Sequence, residues 1–73
     1  MQNTIKVERA ILSLTQDDLA KKIGVSRQTI NSIEANRYAP SIVLALKLSE
    51  LFKKPVNEFF KLSEDDVNFI DAI

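Results

Sequence analysis

Leu14-Thr15-Gln16-Asp17-Asp18-Leu19-Ala20-Lys21-Lys22-Ile23-Gly24-Val25-Ser26-Arg27-Gln28-Thr29-Ile30-Asn31-Ser32-Ile33-Glu34 spells two capped helices joined by a turn too short to let them separate. Thr15 is placed to cap the orphan amides of a helix whose first turn, Gln16 to Asp18, carries acids where the macrodipole is positive. Leu14 and Leu19 take the staple positions on either side of that cap. Lys21 and Lys22 load the last turn with cations, and Gly24, the single glycine of the chain, supplies the left-handed residue that ends it. The spacing predicts a helix over 16–23. The same grammar restarts at once, with Ser26 as cap and Val25 and Ile30 as staple, so a second helix leaves at a steep angle within about three to four residues.

At about 100° per residue, Ile30 and Ile33 share the side of the second helix that can be buried. The opposite arc holds Arg27, Gln28, Asn31 and Ser32, with the small Ala35 beside them. Arg makes a two-point contact to guanine, Asn or Gln to adenine, and Ser bonds several acceptors, so these four side chains have the chemistry that reads base edges. Their place in the N-terminal half of the helix suits insertion into a DNA major groove. Polar residues on an exposed helix are by themselves an ordinary solvated face. The capped helix and turn in front of them are what favour the reading face.

Length and composition narrow the alternatives. Seventy-three residues, 45% of them hydrophobic, make one small folded domain with a single modest core, for which self-association is a source of extra stability. With no cysteine and no histidine, the chain lacks disulfides, thiolate zinc ligands, catalytic thiols and the commonest general base. Neither enzyme chemistry, a cofactor nor a metal site is expected. No apolar run approaches the roughly 18 residues of a membrane span, and the N-terminus lacks a signal-peptide profile, so a soluble, cytoplasmic protein away from membranes is expected.

The formal net charge is zero, which is unusual for a nucleic-acid partner, but the charge is not evenly spread. Residues 1–40 carry Lys6, Arg9, Lys21, Lys22, Arg27 and Arg37 against Glu8, Asp17, Asp18 and Glu34, a surplus of two cations. Residues 41–73 carry Lys47, Lys53, Lys54 and Lys61 against Glu50, Glu58, Glu64, Asp65, Asp66 and Asp71, a surplus of two anions. The basic half is the one with the paired helices, and the acidic half should face away from phosphate.

Outward from that pair, a first helix fits residues 4–12, with Asn3 or Thr4 as cap and Ile5 and Leu12 on a common face, broken at Ser13. After Glu34, Asn36 suits a left-handed helix end and Pro40 keeps Ala39 out of the helical region. Arg37 and Tyr38 then stand where a cation and a phenol can hold a phosphate, although Tyr38 serves equally as a half-buried loop anchor. Ser41 caps a helix over 42–52, the most apolar segment and the expected centre of the core. Pro55 starts a short helix over 56–61, whose Val56, Phe59 and Phe60 have the spacing of a buried face. Residues 63–73 form an acidic amphipathic tail, with Ser63 and Asp66 as a capping box, Leu62 and Val67 as staple, and Val67, Ile70 and Ile73 at helical spacing. This tail either folds back or meets a second copy; its acids disfavour an anionic membrane surface.

The chain resembles the Cro/C1-type helix-turn-helix family, also called the Xre family, in its small stand-alone form. The resemblance covers residues 3–62 and rests on Leu14 to Ala20, Gly24 to Ile30, Ile33-Glu34, and Pro40-Ser41 followed by the Leu-rich helix ending at Phe52. It implies an all-α, lambda-repressor-like domain over residues 1–62, with five helices near 4–12, 16–23, 27–35, 42–52 and 56–61, and a short sixth helix in the tail over 63–73. It implies that Arg27, Gln28, Asn31 and Ser32 read bases, that Gln16, Ser26, Asn36, Arg37 and Tyr38 contact phosphates, and that Arg9 and Glu34 form a structural ion pair. Ile11 and Leu12 depart from the family's charged residues and glycine at the end of the first helix. The function implied is a sequence-specific regulator of transcription, repressor in type, that binds double-stranded DNA as a homodimer, with recognition helices about 34 Å apart on a palindrome. The alternative is an antitoxin or adaptor that uses the same fold, with the tail, to hold a protein partner.

Overall fold

The computed structural model describes residues 1–71, with side chains as far as Asn68, so the Ile70 side chain and the whole of Ile73 in the tail stripe lie outside what it describes. The order of elements is β1 (Gln2–Asn3), α1 (Ile5–Ile11), α2 (Gln16–Ile23), α3 (Arg27–Glu34), α4 (Ile42–Phe52), a single 3-10 turn (Val56–Glu58), β2 (Phe60–Lys61) and α5 (Glu64–Asp71). The molecule is mostly helical, and its α2–α3 pair is the helix-turn-helix.

The caps account for how these helices start and stop. Thr15 and Asp18 form a reciprocal box, the Thr15 hydroxyl accepting from the Asp18 N–H and the Asp18 carboxylate from the Thr15 N–H, both at 3.0 Å. Gly24 ends α2 at φ 77°, and the N–H groups of Gly24 and Val25 both return to the Ala20 carbonyl, which turns the chain sharply into α3. Ser26 then accepts from the Thr29 N–H at 3.1 Å, and Ser41 from the Leu44 N–H at 3.2 Å. Asn36 takes the left-handed conformation at φ 61°.

Three expectations are corrected. First, α1 ends at Ile11, and Leu12 stands 43% exposed instead of sharing a buried face with Ile5. The second buried position of α1 is Glu8, three residues after Ile5 on the same face. A carboxylate is tolerated there because Lys54 reaches it, with Nζ 2.9 Å from one oxygen and 3.2 Å from the other. The start of α1 also differs in detail: the Thr4 side chain makes no cap bond, and Asn3 Oδ1 accepts from the Ile5 N–H at 3.1 Å.

Second, residues 56–61 are not a helix. After the 3-10 turn the chain straightens, and β2 pairs antiparallel with β1, Asn3 opposite Phe60 and Gln2 opposite Lys61. The Thr4 N–H adds a bond to the Phe59 carbonyl at 2.9 Å. This geometry buries the adjacent Phe59 and Phe60 while satisfying backbone groups of the N-terminal segment.

Third, α4 is only partly buried. Leu44, Leu48 and Phe52 face the core, whereas Ile42, Val43 and Leu46 are 79%, 64% and 56% exposed. A helix that is apolar nearly all round can offer only one stripe to a single core.

The core itself joins Ile5, Leu19, Ile30, Ile33, Leu48 and Phe59, each fully buried and each contributing roughly 1.5–3 kcal/mol by leaving water. Phe52 meets Phe59 edge to face at 5.1 Å between ring centres. In α5 the Ser63 and Asp66 capping box forms, while Leu62 and Val67 on either side of it stay exposed. The Ser63 backbone N–H, and after it the Met1 ammonium at 3.0 Å, lower the Asp66 carboxyl to about 2. Among the described residues, no helix is long and apolar enough to cross a membrane.

Candidate nucleic-acid interface

Burial of Ile30 and Ile33 fixes the roll of α3, and the opposite side of the helix presents exposed Arg27, Gln28 and Asn31 with half-buried Ser32. The first turn of α3 contains no acid, so the positive end of its macrodipole is left uncompensated beside Arg27. The start of α2 differs, because Asp17 and Asp18 already sit in its first turn and Asp18 is spent on the cap.

A shallow hollow opens alongside α3, lined by Ser26, Gln28, Thr29, Ser32, Arg37 and Tyr38. It gathers five of the side chains that the resemblance assigns to DNA, drawn from the turn, the helix and the following loop. Thr29 is an addition: its hydroxyl lies 2.9 Å from that of Ser26 at the rim. Its place in the first turn after a capping serine was the available signal. Tyr38 borders this hollow and is 48% exposed, so half of its ring stays free for a ligand while the other half rests on the loop. Arg27 lies outside the hollow, at the start of the helix.

The loop after α3 is bound to the helix. The Asn36 N–H donates to the Ile33 carbonyl at 3.0 Å, the Arg37 N–H to the Ser32 carbonyl at 2.9 Å, and Arg37 Nη2 to Asn31 Oδ1 at 3.0 Å. From β1, Asn3 Nδ2 donates both to the Ile33 carbonyl at 2.9 Å and to Asn36 Oδ1 at 2.8 Å. Asn3 thus fixes the end of the exposed helix from the far side of the sequence, and no local pattern signals it.

Beneath α3, Arg9 bridges three segments. Its Nε and Nη2 donate to the two Glu34 oxygens at 2.7 and 3.1 Å, and its Nη1 donates to the Leu14 carbonyl at 2.9 Å. The side chains of Arg9 and Glu34 are 14% and 9% exposed. The hydrogen bond from Arg9 to Glu34, more than the charge alone, makes the guanidinium hold its proton more tightly than usual. Gln16 joins them through Nε2, which donates to Glu34 Oε1 at 3.2 Å. One Gln16 N–H is used in this bond; the amide carries a second. This side chain therefore sits at the first residue of α2, pointed by a buried ion pair.

Comparison with known proteins agrees with this architecture. Residues 5–59 match the helix-turn-helix family. The chain is 47% identical over 66 residues to an uncharacterised HTH-type transcriptional regulator of Methanocaldococcus jannaschii, covering 90% of this chain and 100% of that protein. It is 41% identical over 66 residues to another from Methanothermobacter thermautotrophicus, covering 89% and 96%, and 38% identical over 66 residues to one from Bacillus subtilis, covering 90% and 100%. With its caps, its α2–α3 turn and its polar α3 face in place, the chain belongs to the Cro/C1-type helix-turn-helix family, a family of DNA-binding transcriptional regulators and not of enzymes.

Proposed function

We propose that the protein is a sequence-specific regulator, repressor in type, that binds a palindromic operator in double-stranded DNA as a homodimer in the cytoplasm. The observation that carries this reading is the polar face of α3, held rigidly over a buried core and continuous with the Arg37 and Tyr38 loop. Arg27, Gln28, Asn31 and Ser32 read base edges from it, and Gln16, Ser26, Asn36, Arg37 and Tyr38 contact the phosphates on either side. Arg9 and Glu34 support the helices and do not touch DNA.

The homodimer is supported by Ile42, Val43 and Leu46, which leave neighbouring apolar side chains exposed on the first two turns of α4, a surface that a second copy can cover. A second copy doubles the base contacts and supplies the symmetry that a palindrome reflects.

Selection of bound sequences from a random duplex pool tests this reading. A palindrome is the expected product, and Arg27→Ala should then lose about 1–3 kcal/mol of affinity for it and relax the preference at one base pair per half-site. Failure of the folded wild-type chain to enrich any sequence would remove the proposal.

A further inference from the structure

Asn31 and Arg37 are joined in a way that constrains what Asn31 can read. Arg37 Nη2 lies 3.0 Å from the Asn31 side chain, and a guanidinium has five N–H groups and no acceptor, so the Asn31 atom facing it must be the carbonyl oxygen. The carboxamide NH2 is thereby turned to the other side. Asn36 is oriented by the same logic. Asn3 faces the Ile33 carbonyl with one atom and the Ile5 N–H with the other, which identifies the first as nitrogen and makes its partner on Asn36 an oxygen at 2.8 Å. Both exposed asparagines of this surface thus have a protein donor on their carbonyl oxygen.

We infer that Arg37 is a positioning residue that presents Asn31 to DNA as a donor, so that Asn31 selects guanine and not adenine. This rests on the DNA-binding reading above. The two-point contact of asparagine with adenine needs its oxygen to accept from the N6 amino group while its nitrogen donates to N7. Here one of the two lone pairs of that oxygen is taken by Arg37, and the positive charge beside it repels the amino group that would approach the other. Guanine offers N7 and O6, two acceptors side by side, which suit an outward NH2 and the adjacent cation together. The remaining Arg37 donors stay available for a phosphate, so positioning Asn31 and holding the backbone are compatible roles for one guanidinium.

The test is selection from a random duplex pool with the full wild-type chain and with Asn31→Ala, Arg37→Ala and Arg37→Lys, each first checked for an unchanged thermal melt. The position that becomes degenerate in Asn31→Ala identifies the base that Asn31 reads. Guanine is expected there for the wild type, with the guanine-to-adenine ratio falling about tenfold or more in Arg37→Ala, the size of one good base contact. Arg37→Lys, which keeps a donor and a charge, should retain guanine. A residue that merely stiffens the loop would lower enrichment throughout without changing which base is preferred. Adenine at that position in the wild type, an unaltered ratio in Arg37→Ala, or no position made degenerate by Asn31→Ala overturns this inference and leaves the DNA-binding reading in place. Absence of any enriched sequence with the wild type overturns both.

Discussion

Arg9 and Glu34, 25 positions apart in the chain, meet through two hydrogen bonds, one to each carboxylate oxygen, Nε to Oε2 at 2.7 Å and Nη2 to Oε1 at 3.1 Å. The pair locks the last residue of α3 to α1, and through Gln16 and the Leu14 carbonyl it also controls the start of α2. The orientation of the exposed α3 face therefore depends on an ion pair beneath it.

Removing one partner strands the other in a poorly hydrated site. Glu34→Ala should cost about 2–3 kcal/mol and lower the melting temperature by on the order of 10 °C in calorimetry. The double variant Arg9→Met with Glu34→Leu should lose less than the sum of the two single changes, because no uncompensated charge remains. Strict additivity would show that the pair contributes nothing as a pair.

Gly24 offers a separate measure of backbone strain. A Cβ there meets nothing within 4 Å, so the cost of Gly24→Ala is conformational alone, that of an L-residue at φ 77°. Denaturant unfolding should show about 1 kcal/mol lost, and Gly24→Asn less, since asparagine tolerates the left-handed region. A loss several times larger would mean that the α2–α3 turn is crowded.

The Thr15 and Asp18 box predicts a pH dependence. The Thr15 backbone N–H, and after it the Thr15 hydroxyl, lower the Asp18 carboxyl below its ordinary value. A carboxyl depressed on folding contributes stability that is fully present above its unfolded value of about 3.9 and disappears as pH falls through the lower folded value. Thr15→Ala should cost about 1 kcal/mol at neutral pH. It should also raise the Asp18 midpoint, followed by NMR of the side-chain carboxyl carbon, part of the way toward the unfolded value, because the backbone donor stays. An unmoved midpoint would remove the hydroxyl from the account.

On α4, Leu46 is exposed enough that Leu46→Lys should leave the stability of the folded monomer nearly unchanged, within about 0.5 kcal/mol, when measured at protein concentrations too low for association. If the Ile42, Val43 and Leu46 surface joins two copies, sedimentation should show this variant as a monomer at concentrations where the wild type dimerises. A variant that associates as the wild type does would place the dimer contact elsewhere.

The α2–α3 pair was legible because its signals are local. Thr15, Gly24, Ser26 and Ser41 each act on backbone groups within five residues, so a short window holds the whole cause. The polar arc of α3 was legible for a related reason, since Ile30 and Ile33 alone set which side is buried. The segment over 56–61 was not, because its Val56, Phe59 and Phe60 spacing satisfies a helix while the deciding partner, β1, lies at the other end of the chain.

Sequence by itself determined where α2, α3 and α4 begin and end to within a residue, how sharply α2 turns into α3, and which side chains α3 offers to solvent, because capping and periodicity are short-range. Only the tertiary structure decided that Glu8 is buried against Lys54, that Asn3 holds the end of α3, that Gln16 leans on Glu34, and that Arg37 grips Asn31. Most of these contacts join residues far apart in the chain, and even the short one from Arg37 to Asn31 depends on how the loop returns. Such contacts exist only once the core has fixed the relative positions of the helices, which is why the donor directions of the surface, unlike its composition, belong to the fold.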